Sequence, residues 1–303
     1  MESQQQLESI FKTFQAAIAG RHVDDAEVAV QEIMELAMKE CEENPSPELL
    51  VEIAAHNCEL HRDWIGAEAK HRELLATAGD GVGKRRRHNA LCHFLRLMGR
   101  FDEARAHSQL AVQFARESDV IPHLLAMDLR QLGDCFYDCG DIPAAKSAID
   151  EALSLIAEDA MCILTFTDLL IMRARVEIHV GKIQAVQSDL EQAWTILEPM
   201  EPMHFAAGVQ RDLSQWWSVT ATLHGHQDDK EGAIAAWREA VNRARLVDAA
   251  PQCAGPHNQF DLATALHGLG TALSTADVNA EADAIFVESA AILHDLQLPR
   301  TCS

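Results

Sequence analysis

Fifteen histidines, eight cysteines and 47 carboxylates give this chain of 303 residues material for metal binding or acid–base chemistry, yet their spacing assembles little of it. His88, Cys92 and His93 lie within about one and a half helical turns, and His56, Cys58 and His61 are similarly close. On a helix His88 and Cys92, four apart, share a face while His93 points elsewhere, and a closed tetrahedral site needs four donors. His224-Gly225-His226-Gln227-Asp228-Asp229 is the most ligand-like run, in a turn between two helices. No His-Glu-x-x-His, P-loop, nucleophile elbow or glycine-rich dinucleotide turn occurs. Carboxylates are so numerous that an acid–base pair can be drawn almost anywhere, which singles out none. The expectation is a non-enzyme with no metal and no cofactor. Cys41, Cys58, Cys92, Cys135, Cys139, Cys162, Cys253 and Cys302 form no Cys-x-x-Cys pair and are expected as structural thiols of a reducing compartment.

Helices must position these residues. Strand-like alternation is absent and Ala and Leu dominate, so the chain is expected to be all-α. Ala26, Ala67, Ala104, Ala145, Val186, Ala233 and Ala282 each sit near the start of an amphipathic helix. Their spacings run from 37 to 49 residues, the period of stacked helical hairpins. Breaker clusters at 44–47, 77–83, Pro122, 198–202 and 251–256 fall between the hairpins. None reads as a flexible linker, so a single domain over 1–303 is expected, with hairpins at about 1–44, 47–80, 84–118, 123–160, 162–200, 203–250 and 257–298. The two longest spacings, near the C-terminus, imply extended helices or a loop around 248–257.

The clearest copy runs from Leu132 to Leu153. It carries Gly133, Phe136, Gly140, Ala145, Ile149 and Ala152 and resembles a tetratricopeptide repeat. Cys92, Gly99, Ala104, Ser108 and Ala111 repeat that lattice, and looser copies cover nearly the whole chain; the first, with Gly20, Ala26, Val30 and Ile33, is the least regular. Gly and Ala let two antiparallel helices approach closely while larger residues fill the adjacent holes. The resemblance implies a right-handed superhelical solenoid of about seven hairpins, with the first helix of each pair lining an inner groove. Laid on that pattern, Glu52, His56 and Glu59 face the groove, followed by Arg86, Asn89, His93 and Arg96, then Arg130, Asp134, Tyr137 and Asp138, and then Asp168, Arg175 and His179. The arginines among them could hold an acidic peptide or a C-terminal carboxylate by charge-assisted bonds, or could be engaged with the chain's own aspartates. The Lys and Asn clamp by which some family members hold a Glu-Glu-Val-Asp terminus is not reproduced.

The net charge of −22 disfavours nucleic acid and anionic membranes as partners. A local exception, Lys84-Arg85-Arg86-Arg87-His88, reads either as a solvated helix flank or as a docking patch for an acidic segment. With no apolar run of membrane-spanning length, a cytoplasmic scaffold that binds a protein or peptide in its groove is the leading expectation. The alternative is a sensor solenoid that responds to a peptide or ligand and regulates a separate output subunit.

Overall fold

The structure, a computed structural model, describes residues 47–156, 162–203, 207–249 and 255–298. The first expected hairpin, with Ala26, lies outside them, as do Cys41, Cys253 and Cys302. Among the described residues there are twelve α-helices and no strand. They are α1 (Pro47–Leu60), α2 (Trp64–Thr77), α3 (Gly81–Leu97), α4 (Phe101–Glu117), α5 (Pro122–Asp138), α6 (Ile142–Ile156), α7 (Ile163–His179), α8 (Ile183–Leu197), α9 (Ala207–His226), α10 (Lys230–Ala249), α11 (Pro256–Thr275) and α12 (Asn279–Leu296). The long C-terminal spacings correspond to longer helices: α9, α10 and α11 have 20 residues each, where α5 and α7 have 17.

The lattice residues mark helix crossings. Ala67, Ala104, Ala145 and Val186 are wholly buried, and Ala233 and Ala282 nearly so. At the α5–α6 crossing a Cβ built on Gly133 would stand 2.9 Å from Ile149 Cγ1, so glycine is what lets the helices close there. Five residues before each lattice position the chain passes through a left-handed residue: Arg62, Gly99, Gly140, Gly181, Asp228 and Asp277, with φ between 61° and 78°. The reversal from one helix to the next demands this conformation, which glycine adopts freely and arginine or aspartate only at a cost. The next residue is the cap that precedes the second helix, and where it is Asp63, Asp141 or Asp229 its carboxylate accepts a hydrogen bond from the N–H three residues on. The Gly-Asp pair in the sequence is thus a left-handed turn joined to a helix cap. One start differs from expectation: α3 begins at Gly81, inside the glycine-rich breaker, because Asp80 accepts from Gly83 N at 2.7 Å and caps the helix early.

Odd-numbered helices touch their odd neighbours, α3 with α5, α5 with α7, α7 with α9 and α9 with α11, and so form an inner wall. The two ends of the described solenoid also meet. Trp64 Nε1 donates to the Gln297 carbonyl at 3.1 Å, and Arg62 Nη2 donates to Gln259 Oε1 at 2.8 Å and pairs with Asp295 at 3.4 Å. Leu296 is wholly buried although it ends the last helix, and Leu298 packs against the cluster of Trp64, Leu91 and Phe94. The two ends of the described solenoid are therefore in contact.

Candidate functional site

The inner wall and α10 line a partly open chamber of about 450 Å³ among α5, α7, α9 and α11, with Arg96 of α3 at its edge. Its floor is apolar, from Ile171, Met172, Val219, Trp237, Val247 and Phe260. Its polar groups are Arg96, Tyr137, Asp138, Arg175 and His179 on one side and Arg211, Ser214, Gln215, Ser218, Thr222, Asn258, Asp261 and Thr264 on the other. An apolar bed with a few convergent polar groups is the usual form of a ligand site, and the volume falls in the roughly 300–1,000 Å³ of such sites.

Of the residues that the repeat pattern sends to the groove, Arg96, Tyr137, Asp138, Arg175 and His179 line the chamber. Asp134 is the hub beside it. Its carboxylate is buried and receives Arg96 Nη1 at 3.0 Å, Arg130 Nη1 at 2.8 Å and Arg175 Nη2 at 2.7 Å. Burial alone would raise this carboxyl; the three guanidiniums outweigh that and hold it well below the ordinary carboxylate range. Arg96 also reaches Asp138 through Nε at 2.7 Å, and Arg130 donates through Nη2 to Asp168 Oδ1 at 3.0 Å. The Arg175 guanidinium lies over the Tyr137 ring, 4.7 Å from its centroid, and Tyr137 Oη is hydrogen bonded to His179 Nε2 at 2.8 Å. Arg96, Arg130 and Arg175 are thus engaged by the chain's own aspartates.

Arg86 and Asn89 are not brought into this constellation. Arg86 and Arg87 both pair with Glu52, while Asn89 Nδ2 donates to Asp128 Oδ1 at 2.6 Å beside Arg85, which pairs with the same carboxylate at 2.6 Å. Glu59 is buried and meets His71 at 2.8 Å. The basic run is accordingly neither a solvated flank nor a free patch: Arg85, Arg87 and His88 are buried, and Lys84 sits over the Phe114 ring. Like charges along one helix are tolerated because Glu52 and Asp128 from neighbouring helices meet them.

His93 is exposed on α3, its ring edge-on to that of His257 with centroids 6.3 Å apart. The protein packed around it, with Arg96 and His257 close by, lowers its imidazole from the ordinary value. His257 is also lowered, again chiefly by burial. Opposite them burial raises the Asp212 carboxyl well above its ordinary value, Asp168 adding to the effect and Arg130 and Arg211 opposing it. Asp261, exposed to the chamber, is raised by the protein packed around it, against the pull of Arg211 and Arg96. Among the described residues no group of three or more His, Cys, Asp or Glu could hold a metal ion, and no helix is long and apolar enough to cross a membrane.

The second half of the wall was not singled out by sequence. Arg211, Gln215, Ser218 and Thr222 form a polar stripe on α9 at spacings of three and four, on the same face that Arg130, Asp134 and Tyr137 occupy on α5. Ser214, Ser218 and Thr222 each donate to a backbone carbonyl and so keep only acceptor capacity for a ligand, whereas the Gln215 amide makes no hydrogen bond among the described residues.

No protein-family model matches the chain, and no curated protein matches it. Solved structures do match in fold. One is a Rap protein complexed with Competence and Sporulation Factor, at 10% identity and TM-score 0.58 over 96% of this chain and 98% of that one. A second is NprR in complex with its cognate peptide NprX, at 11% identity and TM-score 0.57 over 95% and 78% of the two chains. A third is BtubC from P. vanneervenii, at 16% identity and TM-score 0.50 over 82% and 96%. The likeness is one of architecture, a helical-repeat solenoid of tetratricopeptide type.

Proposed function

We propose that the chain is a non-catalytic binding module that takes a peptide, or a segment of a partner protein, into its inner chamber. The observation that carries this reading is the chamber itself: a partly open apolar bed rimmed by hydroxyls, an unengaged amide and charges, on the concave side of a repeat solenoid. Two proteins of similar fold are described in complexes, NprR with its cognate peptide and Rap with Competence and Sporulation Factor, which supports a peptide as the occupant. The chamber favours a short extended segment over a folded domain because the ends of the described solenoid meet and leave little room for bulk. An acidic or C-terminal group remains the expected recognition feature, as do a cytoplasmic setting and no role for nucleic acid, given the net charge of −22.

A second reading, a sensor that regulates a separate output protein, is favoured by the end-to-end contact of Arg62 and Trp64 with Gln259, Asp295 and Gln297. An occupant that prefers one spacing of the ends would shift the equilibrium between closed and open solenoids.

The test is retention of peptides from a random tetrapeptide mixture, compared between the wild type and a Ser218→Trp variant that fills the chamber. Retention by the wild type, lost in a variant that melts normally, is expected. Equal retention by both would move the binding surface outside the chamber.

A further inference from the structure

The sequence points to Arg96, Arg130 and Arg175 as the groups that meet a ligand, but Asp134, Asp138 and Asp168 already neutralise them. The charges lining the chamber are therefore of two kinds. Arg96, Asp138 and Arg175 belong to the hub around Asp134, whereas Arg211 on α9 and Asp261 on α11 have, among the described residues, no opposite charge at ion-pair distance. Both are exposed to the chamber. They feel each other across it without bridging.

The Arg211 guanidinium is nonetheless held in place. Its Nη2 donates to Asn258 Oδ1 at 3.1 Å, one helical turn before Asp261 on α11. One donor is used and the remaining four of the fork are left for a planar acceptor such as a carboxylate. A simple anion would meet Asp261 as a repulsive neighbour, and a simple cation would meet Arg211 likewise. A ligand that carries both charges satisfies both, with its uncharged middle on the apolar floor of Trp237, Val219 and Phe260.

We propose that the occupant of the chamber is a short zwitterionic peptide whose carboxylate is held by Arg211, positioned by Asn258, and whose amine or basic side chain is held by Asp261. This rests on the peptide-binding reading above and adds the two anchor residues and the chemical class of the ligand. Arg96, Arg130 and Arg175 then serve to fix the wall, not to contact the ligand's ends.

The experiment uses the full chain and the same tetrapeptide mixture in three forms: free ends, N-acetylated, and C-amidated. Trp237, on the chamber wall, gives a fluorescence reading of occupancy for each peptide retained. Amidation and Arg211→Gln should each weaken binding by about tenfold to a hundredfold, and the two together no further, since they remove one contact. Acetylation of peptides without Lys or Arg should behave the same way with Asp261→Asn. Neither substitution breaks an ion pair, so the melting temperature serves as the folding control. If peptides bind the wild type but neither blocking nor substitution changes the affinity, the anchor assignment is overturned and the peptide-binding reading survives. If no form of the mixture binds the wild type, both are overturned.

Discussion

Asp134→Asn is the substitution on which the arrangement of the inner wall depends most directly. The change is nearly isosteric and keeps one acceptor oxygen, but it removes the charge that three guanidiniums share. Arg96 keeps Asp138 and Arg130 keeps Asp168, so neither is left without a carboxylate. Arg175 loses the one carboxylate it pairs with and retains the Tyr137 ring. Removing one partner from a buried ion pair costs about 3–5 kcal/mol, and the surviving partners of Arg96 and Arg130 place this case at the lower end, about 3 kcal/mol. Urea denaturation at pH 7 measures it. The pH dependence supplies a second check. Because the folded-state carboxyl of Asp134 is depressed, its contribution is fully present above the unfolded value, about 3.8, and is lost only as pH falls through the lower folded value. The gap between wild type and variant should thus be the same at pH 7 and pH 5 and narrow only in stronger acid. A variant within about 0.5 kcal/mol of wild type would refute this account and release the three arginines for a ligand.

Other expectations follow from the same contacts. Ala145→Leu forces about three carbons into a wholly buried crossing and should lower stability by about 1–3 kcal/mol in a denaturant melt. Gly140→Ala, at φ +78°, should cost about 1–2 kcal/mol by the same assay, whereas Arg62→Gly relieves a non-glycine residue at φ 61° and should not destabilise through its backbone, any loss there reporting the Gln259 and Asp295 contacts. Burial lowers His88 to about 4; the folded state therefore resists protonation that the unfolded chain accepts, and stability should fall as pH drops from about 7 towards 4, with a shallower slope in His88→Phe. Trp64→Ala should raise amide exchange at α12 while leaving α5 and α6 protected, because it cuts the contact that joins the ends and not the hairpins themselves.

The hairpins were legible because their physics is local and repeats. A small residue at 104 or 145 is needed wherever two helices cross, and the crossing recurs at a period that sequence displays directly. The turns were half legible. Gly99, Gly140 and Gly181 announce a left-handed reversal, but Arg62, Asp228 and Asp277 adopt the same conformation against their own preference, held there by the helices on either side. Only comparison of position across repeats reveals them, always five residues before the lattice site. The early start of α3 was missed because a glycine-rich run reads as a breaker unless the aspartate before it is recognised as a cap.

The chamber divides along a different line. Repeat geometry says which side chains face inward, and Arg96, Tyr137, Asp138, Arg175 and His179 do so. It does not say which inward charges are already satisfied, because that depends on pairs about 40 residues apart, such as Arg96 with Asp138 or Arg175 with Asp134. Each pair joins one repeat to the next, at the period of the solenoid, so the carboxylates that make the chain so acidic also tie together the inner helices of the third to fifth hairpins. On the C-terminal side, among the described residues, no ion pair continues that series between the inner helices α9 and α11: Arg211 meets an asparagine at the equivalent separation, Asn258, 47 residues on. An aspartate at that place would have closed the series. The amide leaves the guanidinium's charge uncompensated at the point where the wall borders the chamber, and this break in the repeat, more than the abundance of arginine, is what makes that position suited to receive a carboxylate from outside the chain.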